Sequence, residues 1–299
     1  MNYKINQLSK ELFLITLVPD ISGFDDFIGV LLYKNEVTFL VDVGPASTHS
    51  LLIKALLDLK IENLDYIFLT HIHLDHAGAT HDISLQFPNT PIICHSIGIP
   101  HLIDPSRLWE GSVKTLGELA LSYGKILPVP KESLVPHDKF ISDIILPIQT
   151  PGHSVHHISY KKGDYLFAGE LGGVYLKISN DKEYLRPATP PRLFLNQFIE
   201  SIDKVVSLKA QKICYGHFGM LDCASSNLKK QKEQLLLWER IISDEIKKRK
   251  DDDIVLLCLN RLLKEDPFLS NFCHLDHKKQ DRETWFLKNS IKGFIEYLC

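Results

Sequence analysis

The stretch LTHIHLDHAGATH, Leu69–His81, places four histidines and an aspartate in thirteen residues directly after the apolar run LDYIF. A chain that does this has limited choices. The apolar run reads as a short buried strand, and the Gly-containing segment after it reads as a helix. His71, His73, Asp75 and His76 therefore fall in a sharp strand-to-helix turn where alternate side chains converge. Nitrogen and oxygen donors gathered this way suit zinc, iron(II) or manganese without any cysteine. One turn cannot complete a coordination shell, so partners must come from elsewhere in the chain.

Three further strand ends supply them. His153 lies in TPGHS, Glu170 closes YLFAGE, and His217 closes ICYGH. Each sits where a strand gives way to a Gly-containing loop, the usual place for functional side chains on a rigid scaffold. Asp42, in LVDVG, ends another strand and is placed to orient a ligand histidine from behind.

The surrounding pattern is α/β. ELFLITLV reads as a strand, FIGVLLYKNEVTFLVDVG as two strands about Lys34-Asn35, and STHSLLIKALLDL as a helix. AGATHDISLQF reads as a helix, TPIICH as a strand, and residues 97–123 as mostly helical. DIILPIQTPGHS reads as a strand, HHISYKKGDYLFAGEL as a hairpin about Lys162-Gly163, and PPRLFLNQFIESIDKVVSL as a helix before the strand QKICYGHFG. Two β-rich halves with helices predict a four-layer αββα sandwich. After about Ser225 only helices are expected. Leu228, Leu235, Trp238, Ile242 and Ile246 share one helical face, and Leu287, Ile291, Phe294 and Leu298 share another. The reading is a domain over 1–225 and a helical extension over 226–299, packed on that domain or on a partner subunit in a homodimer.

The ordered set HxHxDH, TPGH, AG-acid and GH resembles the metallo-β-lactamase-fold hydrolases, and within them the glyoxalase II-like, two-metal branch. The similarity spans roughly residues 10–222. It implies two divalent transition metals, with zinc first and iron or manganese as alternatives. His71, His73 and His153 would hold one, and Asp75, His76 and His217 the other. Glu170 stands where the family usually has a bridging aspartate, a departure that keeps the charge and adds a methylene. Leu74 stands where the diiron flavoprotein reductases of this fold carry a glutamate, which argues against that redox role. The implied chemistry is metal-assisted hydrolysis of a small thioester, lactone or phosphoester by a metal-bridged hydroxide, with Asp75 as the catalytic carboxylate.

Other residues have plainer readings. His156 or His157 can face the site, but not both if a strand starts there. Tyr175 and Arg107 are candidate substrate contacts, and Arg107 with Trp109 equally suits a helix start. His81 and Asp82 read as solvated, and Cys273, His274 and His277 make a poor metal set. Lys247–Asp253, KKRKDDD, reads as a helix end followed by a helix start.

Bulk properties narrow the rest. A formal charge of −3 gives no nucleic-acid footprint, which weighs against a nuclease of the same fold. Six dispersed cysteines without a CxxC pair suggest reduced thiols in a cytoplasmic protein. The run Leu12–Val18 lacks a small-residue cleavage site, and no apolar stretch nears the ~20 residues of a membrane helix. A metal-holding regulatory protein with weak residual hydrolysis is the alternative from another class.

Overall fold

The computed structural model describes residues 2–248 and 253–299. Most of the KKRKDDD run lies outside the described residues. The chain divides into two compact units, residues 1–147 and 148–299.

The first unit is built on a seven-stranded sheet in sequence order. β1 (Tyr3–Gln7), β2 (Leu12–Leu17), β3 (Ile28–Lys34) and β4 (Thr38–Val41) pair antiparallel. β5 (Tyr66–Phe68), β6 (Ile92–Cys94) and β7 (Leu134–Pro136) then continue from β4 in parallel. Parallel neighbours need crossovers, and helices provide them. These are α1 (His49–Asp58), α2 (Leu74–Ala77), α3 (Thr80–Gln86), α4 (Ile99–Ile103), α5 (Ser106–Leu116) and α6 (Glu118–Tyr123). β5 and β6 are wholly apolar and almost entirely buried, as central parallel strands are. β1 and β7 escape a sequence reading because β1, YKINQ, alternates half-buried with exposed positions over only five residues and β7 is just three residues long.

The second unit carries a six-stranded mixed sheet formed from β8 (Leu146–Gln149), β9 (Ile158–Lys162), β10 (Tyr165–Lys177), β11 (Glu183–Arg186), β12 (Lys212–His217) and β13 (Met220–Asp222). The strand expected from DIILPIQ ends before the Pro151-Gly152-His153 turn, as expected, but begins only at Leu146 and runs to Gln149. The hairpin about Lys162-Gly163 forms as expected. β10 is longer than expected and is the spine of this sheet. It pairs with β9 and β11 antiparallel and with β12 in parallel.

α7 (Leu195–Val206) follows β11, and α8 (Ala224–Lys248), α9 (Ile254–Glu265) and α10 (His277–Leu298) complete the unit. The expected stripes are buried: Leu228, Leu235, Trp238 and Ile242 from α8, and Leu287, Ile291 and Phe294 from α10. They share one cluster with Leu171, Tyr175, Leu176 and Tyr215 of the sheet. Trp238 and Phe294 pack with ring centroids 5.8 Å apart. Gly293 marks how close α10 comes, since a Cβ there would lie 2.2 Å from the Thr189 carbonyl oxygen.

This unit also buries charge, which the apolar stripes gave no hint of. Glu283 of α10 sits between Arg186, the last residue of β11, and Arg282, whose Nε is 2.9 Å from Glu283 Oε1. Burial opposes ionisation of Glu283, but the two guanidinium groups outweigh it and hold its carboxyl below the usual range. Asp266 accepts from the Trp238 indole at 2.7 Å and from the Gln234 amide at 2.8 Å.

Candidate metal centre

In the first unit the site grows from the end of β5. Asp42 follows β4 with φ of +61°, a left-handed backbone that aspartate tolerates better than most residues. That turn aims its carboxylate across at the residues after β5. Asp42 Oδ1 accepts the Thr70 amide at 2.8 Å, and Asp42 Oδ2 accepts the Thr70 hydroxyl at 2.8 Å. The same Oδ2 lies 2.8 Å from His76 Nδ1. A carboxylate can only accept here, so His76 carries its proton on Nδ1, and Nε2 is the lone-pair nitrogen. Thr70 has given its one proton to Asp42, so it accepts from His71 Nδ1, 3.0 Å away. His71 is thereby set in the same tautomer.

The rings crowd together. His71 lies 4.1 Å from His76 and 4.6 Å from His73, centroid to centroid. Asp75 Oδ2 is 3.9 Å from His76 Nε2. His71 and His76 are buried, while His73 and Asp75 are partly exposed. Lone-pair nitrogens held together in a dry setting repel one another unless a cation lies among them, so this donor set fits a divalent metal.

The second unit presents His153, Glu170 and His217. His153 Nδ1 donates to the Ala188 carbonyl at 2.9 Å, which again leaves Nε2 as the lone-pair nitrogen. Glu170 Oε1 is 3.1 Å from His217 Nε2, and both side chains are buried. Glu170 reaches this place from a bulge. The β10–β12 register shifts between Phe167 and Gly169, and Gly169 takes φ of +55°.

The remaining candidates lie in varied settings. His156 is partly buried, with Nδ1 3.2 Å from Ser154 Oγ. Tyr175 is buried, and its ring stacks on Tyr215 at 5.2 Å. Burial and then Glu183 raise its hydroxyl pKa to about 12, and its packing is that of a core residue. Arg107 is exposed on the first turn of α5, close to Asp104. His81 and Asp82 are both partly exposed, and His81 Nδ1 lies 2.6 Å from the Pro128 carbonyl.

Two contributors had no assigned role in the sequence reading, where His157 stood only as the alternative to His156. Thr70 precedes the histidine motif and carries its orientation, and His157 holds the Glu170 backbone. Both had a visible signal, a hydroxyl beside the first ligand and a second histidine after His156. Neither could be assigned without knowing which atoms face it.

Asp42→Ala is expected to release His76 and, through Thr70, His71. Metal affinity should fall by about 10–100-fold, the usual cost of losing a group that orients ligands, read by chelator competition. An unchanged affinity would show that the histidines need no support.

The comparisons with known proteins bear on the family and the fold. Metallo-beta-lactamase fold-containing protein ST1585 of Sulfurisphaera tokodaii is 28% identical over 201 residues, covering 62% of this chain and 70% of that protein. A hydroxyacylglutathione hydrolase of Hamiltonella defensa is 27% identical over 208 residues, covering 68% of this chain and 65% of that enzyme. Among solved structures, the metallo-beta-lactamase family protein TTHA1429 of Thermus thermophilus superposes with a TM-score of 0.63 at 17% identity. That alignment covers 98% of this chain and 94% of the other. It shows the fold, two mixed sheets with flanking helices and C-terminal helices. The Metallo-beta-lactamase superfamily pattern matches residues 29–217, a span that holds Asp42 and all seven donors. The chain belongs to the metallo-beta-lactamase superfamily.

Proposed function

We propose that this chain is a metallo-hydrolase that cleaves a small ester-type substrate, a thioester, lactone or phosphoester, with two divalent ions. Zinc is the first choice, with iron or manganese as alternatives. The observation that carries this reading is the shared tautomer of His71, His76 and His153. Each gives its Nδ1 proton to a protein acceptor and keeps Nε2 for a ligand bond.

The family resemblance assigns His71, His73 and His153 to one ion and Asp75, His76 and His217 to the other, with Glu170 as a further ligand. Ions held there supply an acidified water and a positive charge for the oxygen being polarised. The protein does the rest. Asp42 and Thr70 keep the imidazoles oriented. Asp75 is partly exposed, so it can hold the attacking water by hydrogen bond and take up its proton. His156 and Arg107 are the proposed substrate contacts, and a small-molecule substrate needs no basic face. The superfamily relatives named as hydroxyacylglutathione hydrolases favour the thioester among the three classes.

The test is metal removal and reloading. Chelation should abolish hydrolysis of a panel of thioester, lactone and phosphodiester substrates, and zinc, iron(II) or manganese should restore it for one class. Single-stranded RNA and DNA belong in the panel as the nuclease arm. A stripped protein that hydrolyses the panel as fast as the reloaded one would overturn the reading.

A further inference from the structure

Glu170 differs from an aspartate by one methylene, and a longer arm is harder to aim. The structure shows how its backbone is fixed. The Glu170 amide donates to His157 Nε2 at 3.0 Å. Nε2 therefore carries the lone pair, and Nδ1 carries the proton. His157 Nδ1 faces Thr150 Oγ1 at 2.8 Å and the Thr150 carbonyl at 3.1 Å. At the far end, Ser159 Oγ donates to the Ala168 carbonyl at 3.1 Å. Ser159 has then spent its proton, so in the 3.0 Å contact between Thr150 and Ser159 the threonine donates. Thr150 in turn accepts from His157.

Every hydrogen in this series has one direction: Glu170 amide to His157, His157 to Thr150, Thr150 to Ser159, Ser159 to the Ala168 carbonyl. The series begins and ends on the two residues that flank Gly169. Thr150, His157, Ser159, Ala168 and Glu170 are all buried. It thus closes a dry ring around the bulge at which β10 leaves register with β12.

We propose that His157 is a positioning residue that fixes the direction of the Glu170 carboxylate by locking this bulge. The inference rests on the reading of Glu170 as a metal ligand. A leucine at 157 fills similar space but leaves the Glu170 amide buried without its acceptor, so the bulge relaxes and the carboxylate loses its aim. Glutamine, with one acceptor and one donor at a similar reach, restores part of the ring.

The experiment uses the full chain loaded with zinc. His157→Leu should weaken one of the two ions by about 10–100-fold and leave the other unchanged, read by zinc retained against a graded chelator, while His157→Gln recovers most of that loss. A merely structural His157 would lower the melting temperature and leave the ratio of the two affinities alone. Glu170→Gln is measured in parallel. If it keeps both ions, Glu170 is no ligand and the underlying reading fails. If it loses one while His157→Leu keeps both, the ligand reading stands and this inference fails. Nitrogen-15 NMR of the unmutated protein needs no variant to fold. It should show His157 neutral with the proton on Nδ1, and a proton on Nε2 would overturn the ring.

Discussion

Glu283→Gln is expected to destabilise the second unit by about 3–5 kcal/mol, the range found when one member of a buried ion pair is removed. Glu283 is fully buried, and Arg186 and Arg282 are nearly so. Without the carboxylate, two guanidinium groups are left facing each other in a dry interior. Packing of the Arg186 guanidinium 4.7 Å from the Phe286 ring centroid offsets only part of that. Urea unfolding followed by circular dichroism gives the value. Lys232→Ala is the internal control, since its 2.7 Å pair with Asp203 is solvent-exposed and should be worth less than about 1 kcal/mol. A loss of similar size in both variants would mean that the buried cluster is not a stabilising centre. Replacing Arg186, Arg282 and Glu283 together by apolar residues of similar volume should recover most of the loss.

Truncation after Ser225 is expected to have a larger effect. Leu228, Leu235, Trp238, Ile242, Leu287, Ile291 and Phe294 are all at most 1% exposed. Each such side chain contributes about 1.5–3 kcal/mol on burial, and a whole domain is stable by only about 5–15 kcal/mol. The truncated chain should therefore be insoluble or bind hydrophobic dyes. A soluble truncated monomer with unchanged unfolding midpoint and activity would refute this. Trp238→Ala is the graded version. It removes the largest buried side chain and the donor to Asp266, and should cost about 3–5 kcal/mol.

The ligand-bearing turns were legible because their signal is local. A short apolar run, a nitrogen or oxygen donor and a nearby glycine follow one another along Tyr66–Gly78, Ile145–His153, Leu166–Glu170 and Ile213–His217. The long helices were legible for the same reason, as Leu228, Leu235, Trp238 and Ile242 repeat at helical spacing. What supports those features was not legible. Arg186 and Glu283 are ordinary surface residues by composition, and only the packing of α10 brings them together across 97 positions. The second histidine of His156-His157 could be assigned only after the hydrogen positions around Gly169 were worked out. β11 went unseen because its sequence, EYLR, carries no alternation and gains its identity from pairing with β10.

The ties between β11, the loop after it and α10 also bear on how the chain is made. Arg186 meets Glu283, and Thr189 and Arg192 reach Ser290 and Glu296 across 101 and 104 positions. A ribosome releases the N-terminal partner of each pair long before the C-terminal one exists. During that interval Arg186 lacks Glu283, its main counter-charge, and the sheet face that α8 and α10 cover has no cover. The second unit is therefore completed only after α10 has cleared the exit tunnel, and domains of such long-range pairing fold slowly. Until then a chain holding β10 and β12 exposes an apolar sheet to the crowded cell. Yield on overexpression should depend more on chaperone supply and growth temperature than on the stability of the finished protein.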